Sequence, residues 1–418
     1  MVGSDMRGDG RRLLVAGAGI PGLTLALALK GANGPALDVT VCDPAIPAGG
    51  GRHRGRAFAV AAGARRMLAQ LGVWDAIAPA AQPIRDMVVS DSRLADPVRP
   101  VFLTFGEAAA EDDAPFAHMV EAEPMVEALL AAAREAGVRL DAAGVADVAP
   151  EAGAARVALD DGRTLPVSLV VAADGARSRL RDGAGIGWVG WAYPQVGIVA
   201  TVAHERDHEG RATEHFLPSG PFAILPLRPG GALGHRSSIV WTEGAPDAQA
   251  RTADPEATLH AIGQRIGHGL GRLALEHGPS THALAFGMAR GFVAERLALL
   301  GDAAHVIHPI AGQGLNLGLA DAAALAEAVT EAVRLGMDPG GRAVLRGYER
   351  ARRFDALAMA AATDGLNRLF SNDAMGLRLA RDFGLGLVDR MPGLKRAFIG
   401  AAAQRRGAQP RLLRGEAL

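Results

Sequence analysis

The chain has 418 residues, of which 49% are hydrophobic, so it can form a large core and two domains. Its formal net charge is −1, whereas nucleic-acid-binding proteins normally carry a basic excess, so that class is excluded. Cys42 is the only cysteine, and no intramolecular disulfide can form. The sequence therefore predicts a reducing, cytoplasmic location.

The first motif follows a short apolar strand predicted at residues 13–16. Residues 17–22 read GAGIPG, and an apolar helix is predicted over 23–30. The next strand ends at Asp43, and the spacing 43 − 22 = 21 matches the ~20 residues expected before an acid that binds a ribose diol. Strand, glycine turn, helix and acid together predict a dinucleotide-binding unit.

A second candidate segment, residues 49–56 (GGGRHRGR), is rich in glycine and arginine. Arg56 is a candidate for neutralising a dinucleotide phosphate, and the alternative is a solvated loop. Further on, a predicted hairpin over 156–172 leads into Asp174-Gly175, an acid and a glycine at a strand end. Such a pair suits a ligand site or a capped turn. The other elements predicted in this part are helices at 57–74 and 123–136 and short strands near Val88, Val101 and Phe102.

The pattern changes after residue 187, where apolar runs alternate with Pro/Gly turns and show no helical period. This predicts an antiparallel sheet inserted into an α/β chain, and hence a second domain. The predicted strands are 196–203, 215–227 and 236–241, followed by a helix at 259–275 and a strand at 282–288.

The most informative stretch is 297–329. An apolar strand at 297–300 ends in Gly301-Asp302, and a glycine loop then leads into a helix from about Leu315. Glycine lets a ligand approach the backbone, and a helix start offers unpaired N–H groups to an anion or an electron-rich ring edge. Asp302 can accept hydrogen bonds from sugar hydroxyls. The alternative, a core helix capped by Asp302, leaves the clustered Gly, Asn and Gln unexplained.

His305 and His308 stand three residues apart in this loop. Zinc needs a third protein ligand and no cysteine lies nearby, so the sequence predicts no metal site. We interpret His308 as a packing or hydrogen-bonding residue of the loop.

The C-terminal region, residues 374–418, is predicted to be helical and basic. It contains nine Lys or Arg and three Asp or Glu side chains, interleaved with Leu, Phe and Ile. This composition suits contact with an anionic membrane surface or a protein partner, at the inner face of the cytoplasmic membrane in the first case. The alternative is a helical cap with a charged outer face.

In order along the chain, the glycine turn, Asp174-Gly175 and Gly301-Asp302 resemble the group A flavoprotein monooxygenases, of para-hydroxybenzoate hydroxylase type. Longer motifs resemble the FAD-dependent hydroxylases of ubiquinone biosynthesis over nearly the whole chain. These motifs are RAFA at 56–59, LGVW at 71–74, FAILPL at 222–227, SIVW at 238–241, IHPIAGQGLNLGL at 307–319, LFSND at 369–373 and MPGLK at 391–395. The chain departs from the family pattern at Arg54, where an acid is common, and at Ala320, where Arg is common.

The resemblance implies an α/β fold with a Rossmann-type FAD-binding domain, an inserted antiparallel-sheet substrate domain and a helical C-terminal tail. The implied boundaries are 1–81, 118–186 and 286–373 for the FAD-binding domain, 82–117 and 187–285 for the substrate domain, and 374–418 for the tail. The implied cofactor is non-covalent FAD, with NAD(P)H as co-substrate and O2 as oxidant.

The resemblance also implies roles for individual residues. Asp43 would hold the adenosine ribose, Arg56 would lie near the cofactor, and Asp302 would bind the ribityl chain. Asp174 would help to build the FAD and NAD(P)H region. The remaining implied residues are Gly17, Gly19 and Gly22 at the pyrophosphate, Gly301 beside Asp302, Gly314, Leu315 and Asn316 at the flavin pyrimidine edge, Pro309, Gly312 and Gln313 in the flavin-ring loop, and Phe222, Ile224 and Pro226 in the substrate pocket.

The implied reaction is hydroxylation of an aromatic ring. NAD(P)H would reduce FAD, O2 would form a C4a-hydroperoxide, and this species would transfer OH to a polyprenylated phenol of ubiquinone biosynthesis. Two alternatives stay open: a related flavoenzyme acting on a soluble phenol, and a non-catalytic FAD-binding subunit of the ubiquinone-synthesis complex.

Overall fold

The computed structural model describes residues 11–53, 55–94, 96, 101–105, 115–371 and 409–418. Arg54 and most of the predicted basic tail, 374–408, lie outside the described residues. The strands are β1 Arg11–Ala16, β2 Leu37–Cys42, β3 Ala57–Ala61, β4 Ala81–Ile84, β5 Asp86–Asp91, β6 Val101–Phe105, β7 Ala117–Glu121, β8 Arg139–Asp141, β9 Val145–Glu151, β10 Ala154–Leu159, β11 Thr164–Val167, β12 Leu169–Ala172, β13 Trp188–His204, β14 Arg211–Leu217, β15 Gly220–Leu227, β16 His235–Gly244, β17 Leu273–Ala289, β18 Val293–Ala294, β19 Leu297–Leu299 and β20 His305–Val306.

Helices cover the sheets and connect them. They are α1 Ile20–Asn33, α2 Ala62–Gln70, α3 Trp74–Ile77, α4 Ala122–Glu135, α5 Arg179–Gly183, α6 Ala245–Arg251, α7 Pro255–Ile266, α8 Gln313–Arg334, α9 Arg342–Phe370 and α10 Arg411–Arg414. Within the described ranges, none of them is both long and apolar enough to cross a bilayer.

A six-stranded sheet of order β18-β19-β12-β1-β2-β8 forms the dinucleotide-binding half of the fold. All its pairings are parallel except β18 with β19. The four residues 13–16 of β1 are fully buried, as expected for a parallel strand that is covered on both faces. Helix α1 connects β1 to β2, which confirms the predicted strand–turn–helix unit. Cys42 is buried at the end of β2, and burial raises the pKa of its thiol to about 12.

An eight-stranded, mostly antiparallel sheet of order β20-β17-β13-β16-β15-β14-β5-β6 forms the second half. One face packs against α6 and α7 through Trp241, Ile239 and Ile262, which are buried. The other face looks toward the six-stranded sheet. The inserted antiparallel sheet is thus confirmed, while the exact domain boundaries stay predictions.

Four predicted elements were wrong in part. Residues 57–61 form β3 and pair with β7, so the helix predicted from residue 57 begins only at Ala62. The helix predicted over 259–275 ends at Ile266, because Gly267 adopts φ +70° and reverses the chain into β17.

The predicted hairpin over 156–172 is also divided. Strand β11 pairs with β10, as predicted, but β12 leaves the hairpin and joins the parallel sheet beside β1. Similarly, the strand predicted at 215–227 is two strands, β14 and β15, joined by a tight turn that ends at Gly220. In both cases only one or two residues separate the two apolar runs, Ser168 in the first and Pro218-Ser219 in the second, and the chain changes partner there.

Candidate active site

A cavity of about 640 Å³ lies between the two large sheets. It is lined by the carboxyl ends of β1, β2, β12 and β19, by the start of α8 and by one face of the antiparallel sheet. Ligands bind at this end of parallel strands in open α/β folds. All the residues predicted to bind the cofactor or to form the flavin-ring loop line it: Gly17, Gly19, Gly22, Asp43, Arg56, Asp174, Gly301, Asp302, Pro309, Gly312, Gln313, Gly314, Leu315 and Asn316.

The glycine turn between β1 and α1 fits a dinucleotide for steric reasons. Gly17 has φ +120°, and a Cβ there would overlap the carbonyl oxygen of Ala173. A Cβ on Gly22 would overlap the carbonyl oxygen of Gly17. By contrast, a Cβ on Gly19 would meet no atom closer than 4.0 Å, so the backbone there is open to a ligand. Helix α1 starts directly after it, with no acidic residue in its first turn, and its positive end faces the cavity.

Asp43, at the end of β2, is held against the same turn. Its Oδ2 accepts a hydrogen bond from the backbone N–H of Ala18 at 2.8 Å, and its Oδ1 accepts one from Ala45 at 2.8 Å. The carboxylate is therefore oriented at the cavity edge where a ribose diol of the adenosine would lie.

Helix α8 presents its N-terminus to the cavity. Gly312 precedes it in the left-handed conformation, φ +59°, and has no side chain with which to cap the first-turn amides. A Cβ on Gly314 would have nothing within 4 Å, so this turn is also open to a ligand. The N-terminus of a 22-residue helix here would stabilise negative charge on a ring placed against it.

The Asn316 side chain has a role that the sequence did not reveal. It is 1% exposed, donates to the carbonyl of Ala59 at 2.8 Å and accepts from the N–H of Ala61 at 2.9 Å. These two hydrogen bonds connect α8 to β3, the strand that follows Arg56. Only the Asn316 backbone is left for the predicted flavin contact.

Asp302 and Arg56 both line the cavity, and their opposite charges attract each other. Asp302 is surrounded by protein but faces the open cavity. Burial raises the pKa of its carboxyl, while the charges of His305 and Arg56 oppose that rise. Arg56 also lies over the ring of Phe58, with 5.5 Å from its guanidinium carbon to the ring centre. Arg56 is exposed and lines the cavity, so its role at the cofactor stays a prediction. Asp174, at the end of β12, accepts a 3.4 Å hydrogen bond from the N–H of Leu180.

A buried ionic network supports the loop that carries Asp302. Asp321 of α8 is 0% exposed, and its Oδ1 accepts from Arg352 Nε of α9 at 2.8 Å. Its Oδ2 lies 2.6 Å from His305 Nε2 and accepts from the N–H of Gly301 at 3.3 Å. Burial raises the pKa of Asp321, but the charges of His305 and Arg352 outweigh burial and hold it below its usual range. Sequence reasoning missed this support, although an acid inside the apolar α8 pattern was a signal for it.

The two histidines of the loop have separate partners. His305 bonds to Asp321, whereas His308 packs edge-on against Tyr193, with 5.2 Å between ring centres. Burial lowers the pKa of His308 to about 4, so it is neutral at physiological pH. Its Nδ1 accepts a 3.3 Å hydrogen bond from the N–H of Ile310, and it shapes the loop in this way. In the part of the chain that the structure describes, no group of three or more His, Cys, Asp or Glu is placed to hold a metal ion.

The predicted substrate residues on β15 were wrong by one position. Phe222 is 0% exposed and packs against Trp241, with 6.1 Å between ring centres, on the face covered by α6 and α7. Ile224 packs on the same side, and Pro226 does not line the cavity. Successive side chains of a strand point to opposite faces, so the alternate residues face the cavity. They are Pro221, Ala223 and Leu225.

Comparison with known proteins identifies the cofactor. A family model for the FAD binding domain matches residues 12–363. The chain belongs to this FAD-binding family. Its sequence is 42% identical over 421 residues to ubiquinone hydroxylase UbiL of Rhodospirillum rubrum, covering 96% of this chain and 92% of that protein. It is 31% identical over 396 residues to 3-demethoxyubiquinol 3-hydroxylase of Escherichia coli, covering 92% of this chain and 96% of that protein.

A solved structure shows the same fold. Klebsiella pneumoniae HpxO, complexed with FAD and uric acid, matches with a TM-score of 0.72 at 21% identity, covering 95% of this chain and 99% of that one. The family assignment confirms FAD as the cofactor, and the hydroxylase relatives make the protein a FAD-dependent monooxygenase. NAD(P)H is the reductant typical of this family.

Replacement of Asp302 tests the prediction that its carboxylate binds the ribityl chain of FAD. A hydrogen bond to a charged group contributes about 1.5–3 kcal/mol, so Asp302→Ala is expected to weaken FAD binding by roughly tenfold to a hundredfold. Titration of the apoprotein with FAD, followed by quenching of flavin fluorescence, measures the change. Asp247→Ala is the control, because Asp247 is exposed on α6, far from the parallel strands. Equal FAD affinity in Asp302→Ala and wild type would refute the predicted contact.

Proposed function

We propose that this flavoenzyme hydroxylates the aromatic ring of a polyprenylated phenol, an intermediate of ubiquinone biosynthesis. The observation that carries the proposal is the cavity itself, in which the flavin-binding turns face a largely apolar sheet. Its lining includes Val199, Ala223, Val240 and Leu225. Such a surface suits a hydrophobic ring with a prenyl chain. The names of the hydroxylase relatives support the same substrate class.

FAD supplies the redox chemistry when bound, since it accepts a hydride from NAD(P)H and activates O2 for transfer of one oxygen atom. The protein binds and orients the cofactor and shields its ring from water. Asp43 would hold the adenosine ribose and Asp302 the ribityl chain, and Arg56 would offset cofactor charge. The first turn of α8 would stabilise negative charge on the pyrimidine edge, as an oxyanion hole does. The antiparallel sheet would help to exclude water from the ring.

Product analysis tests the proposal. The holoenzyme with NADPH, isotopically heavy O2 and ortho-geranylphenol is expected to yield a ring-hydroxylated product with one heavy oxygen atom, detected by mass spectrometry. The control substrate is phenol without the geranyl chain, which we expect to react at least tenfold more slowly at equal concentration. Efficient turnover of phenol alone would favour a soluble substrate instead. FAD binding with neither product would favour a non-catalytic subunit.

We also propose that the enzyme works at the inner face of the cytoplasmic membrane, because a polyprenyl chain partitions into lipid. The support is the excess of basic side chains in residues 374–418, interleaved with apolar ones. The last residues of this region pack on the FAD-binding half. Leu412 and Leu413 are buried there, and Arg66 donates to the Leu413 carbonyl at 2.9 Å.

Co-sedimentation with lipid vesicles that contain ortho-geranylphenol tests the membrane contact. The enzyme is expected to sediment with vesicles rich in phosphatidylglycerol and not with vesicles of pure phosphatidylcholine. If the enzyme sediments with neither kind of vesicle, the membrane proposal is refuted, and a protein partner or a helical cap with a charged outer face is left as the explanation of the basic region.

A further inference from the structure

One acidic side chain stands on the apolar face of the cavity. We define the sheet wall as the cavity-lining residues of β13 to β16: Val199, Ala212, Glu214, Pro221, Ala223, Leu225, Val240 and Thr242. Among these described residues Glu214 alone can carry a charge. In strand register it lies beside Ala223, which in turn lies beside Val240. Its neighbours on the wall are therefore aliphatic.

Within the part of the chain that the structure describes, no contact compensates the charge of Glu214. It is 6% exposed, and no described residue forms a hydrogen bond or ion pair with its carboxyl group. Burial alone raises its pKa to about 7. An unpaired buried carboxyl group destabilises a fold, so an apolar residue at this position would serve the core better. The group is therefore better explained by a ligand than by packing.

The strand geometry directs Glu214 toward the flavin-ring loop. Phe216, two residues along β14 and hence on the same face, packs against Ile310 of that loop. Ile310 lies between Pro309 and Gly312, which also line the cavity. A substrate ring that occupies the space between the sheet wall and the loop would therefore bring a ring substituent to Glu214.

We propose that Glu214 receives the ring hydroxyl of the phenolic substrate and accepts its proton, an inference that rests on the proposed function. The phenol O–H bond breaks, its electron pair stays on oxygen as a phenolate, and the proton forms a new O–H bond on the Glu214 carboxylate. The step needs no oxidant or reductant. The phenolate oxygen then donates electron density to its ortho and para carbons, where oxygen transfer takes place.

Other titratable groups are distinguishable from Glu214. Of the strands beside β14, β15 has none, and β5 has Asp86 and Asp91, the latter on the same face as Val89. None of these charges shifts the pKa of Glu214. The titratable residues that line the rest of the cavity belong to its cofactor end: Asp43, Arg56, Asp174, Asp302 and His305. A titration near pH 7 that depends on residue 214 can thus be assigned to its carboxyl group.

The test compares Glu214→Gln with the control Glu256→Gln, which changes an exposed glutamate on α7. Both variants are expected to retain the wild-type FAD content and to have a melting temperature equal to or higher than that of wild type. In Glu214→Gln the fraction of oxidised NADPH that yields hydroxylated ortho-geranylphenol is expected to fall at least tenfold. A ring-fluorinated analogue, which is a stronger acid, is expected to recover most of that loss.

The pH dependence has a defined sign. Only the ionised carboxylate accepts a proton, so wild-type kcat/KM is expected to fall as the pH drops below about 7, and this limb is expected to disappear in Glu214→Gln. An unchanged product fraction and an unchanged acid limb in the variant would overturn the proposal.

A binding measurement separates this proposal from the proposed function. Ortho-geranylphenol bound to the oxidised holoenzyme perturbs the flavin spectrum, so its affinity can be measured without turnover. If wild type binds the phenol but does not hydroxylate it, the proposed function fails. Glu214 is still supported if binding strengthens as the pH rises through 7 in wild type but not in the variant, and refuted if both respond alike.

Discussion

Gly17→Ala is expected to yield a colourless protein that does not retain FAD. The added Cβ would overlap the carbonyl oxygen of Ala173. Residue 17 also has φ +120°, a backbone conformation that residues other than glycine rarely adopt. Both effects would displace the turn that is predicted to bind the FAD pyrophosphate. The expected loss of FAD affinity is at least about a hundredfold, or on the order of 3 kcal/mol.

The matched control is Gly31→Ala in α1, the helix that this turn precedes. Gly31 is exposed, and a Cβ added there would have no atom within 4 Å. Because alanine is the better helix former, this change is expected to stabilise the fold by up to about 1 kcal/mol and to leave FAD bound. The ratio of flavin absorbance to protein absorbance after gel filtration compares the two variants. A yellow Gly17→Ala protein with a wild-type ratio would contradict the geometry.

Asp321→Ala is expected to cause the largest loss of stability. Removing this carboxylate leaves Arg352 and His305 buried without their counter-charge, and breaking a buried ion pair in this way costs about 3–5 kcal/mol. It also releases Gly301, so FAD should dissociate at a lower temperature. Urea denaturation of the holoenzyme measures the free energy of unfolding.

Asp355→Ala is the control for this change, because it removes the exposed partner of the same Arg352, at 2.9 Å. An exposed ion pair contributes about 0–1 kcal/mol. Equal destabilisation by the two variants would show that the Asp321 network does not support the loop.

The network also predicts an acid limb of stability. The pKa of Asp321 is held below its unfolded value, about 3.9. Its contribution is therefore fully present above that value and is lost as the pH falls through the lower folded-state pKa. The difference in unfolding free energy between wild type and Asp321→Ala should shrink in this acidic range.

The residues predicted from sequence were those that depend on local backbone geometry. The turn from β1 into α1, Asp43 and the turn before α8 are each specified within about 20 residues, by glycines that permit the backbone path and by apolar periods on either side. The structure accordingly brings all of them to one cavity. The family resemblance, rather than the residues alone, indicated which cofactor they hold, and the family match confirmed it.

The tertiary structure decided everything that depends on a distant partner. Which face of β15 meets the cavity follows from the packing of Phe222 against Trp241 beneath α6 and α7, and a one-residue shift in that choice reverses every side chain of the strand. The pairing of Asp321 with Arg352 joins two helices. The surroundings of Glu214 depend on the pairing of β14 with β15 on one side and with β5, which is distant in sequence, on the other. The chain by itself determined the cofactor turns, because each is a local device. Side-chain direction and charge compensation were decided only by the assembled sheets, because burial is a property of the whole fold.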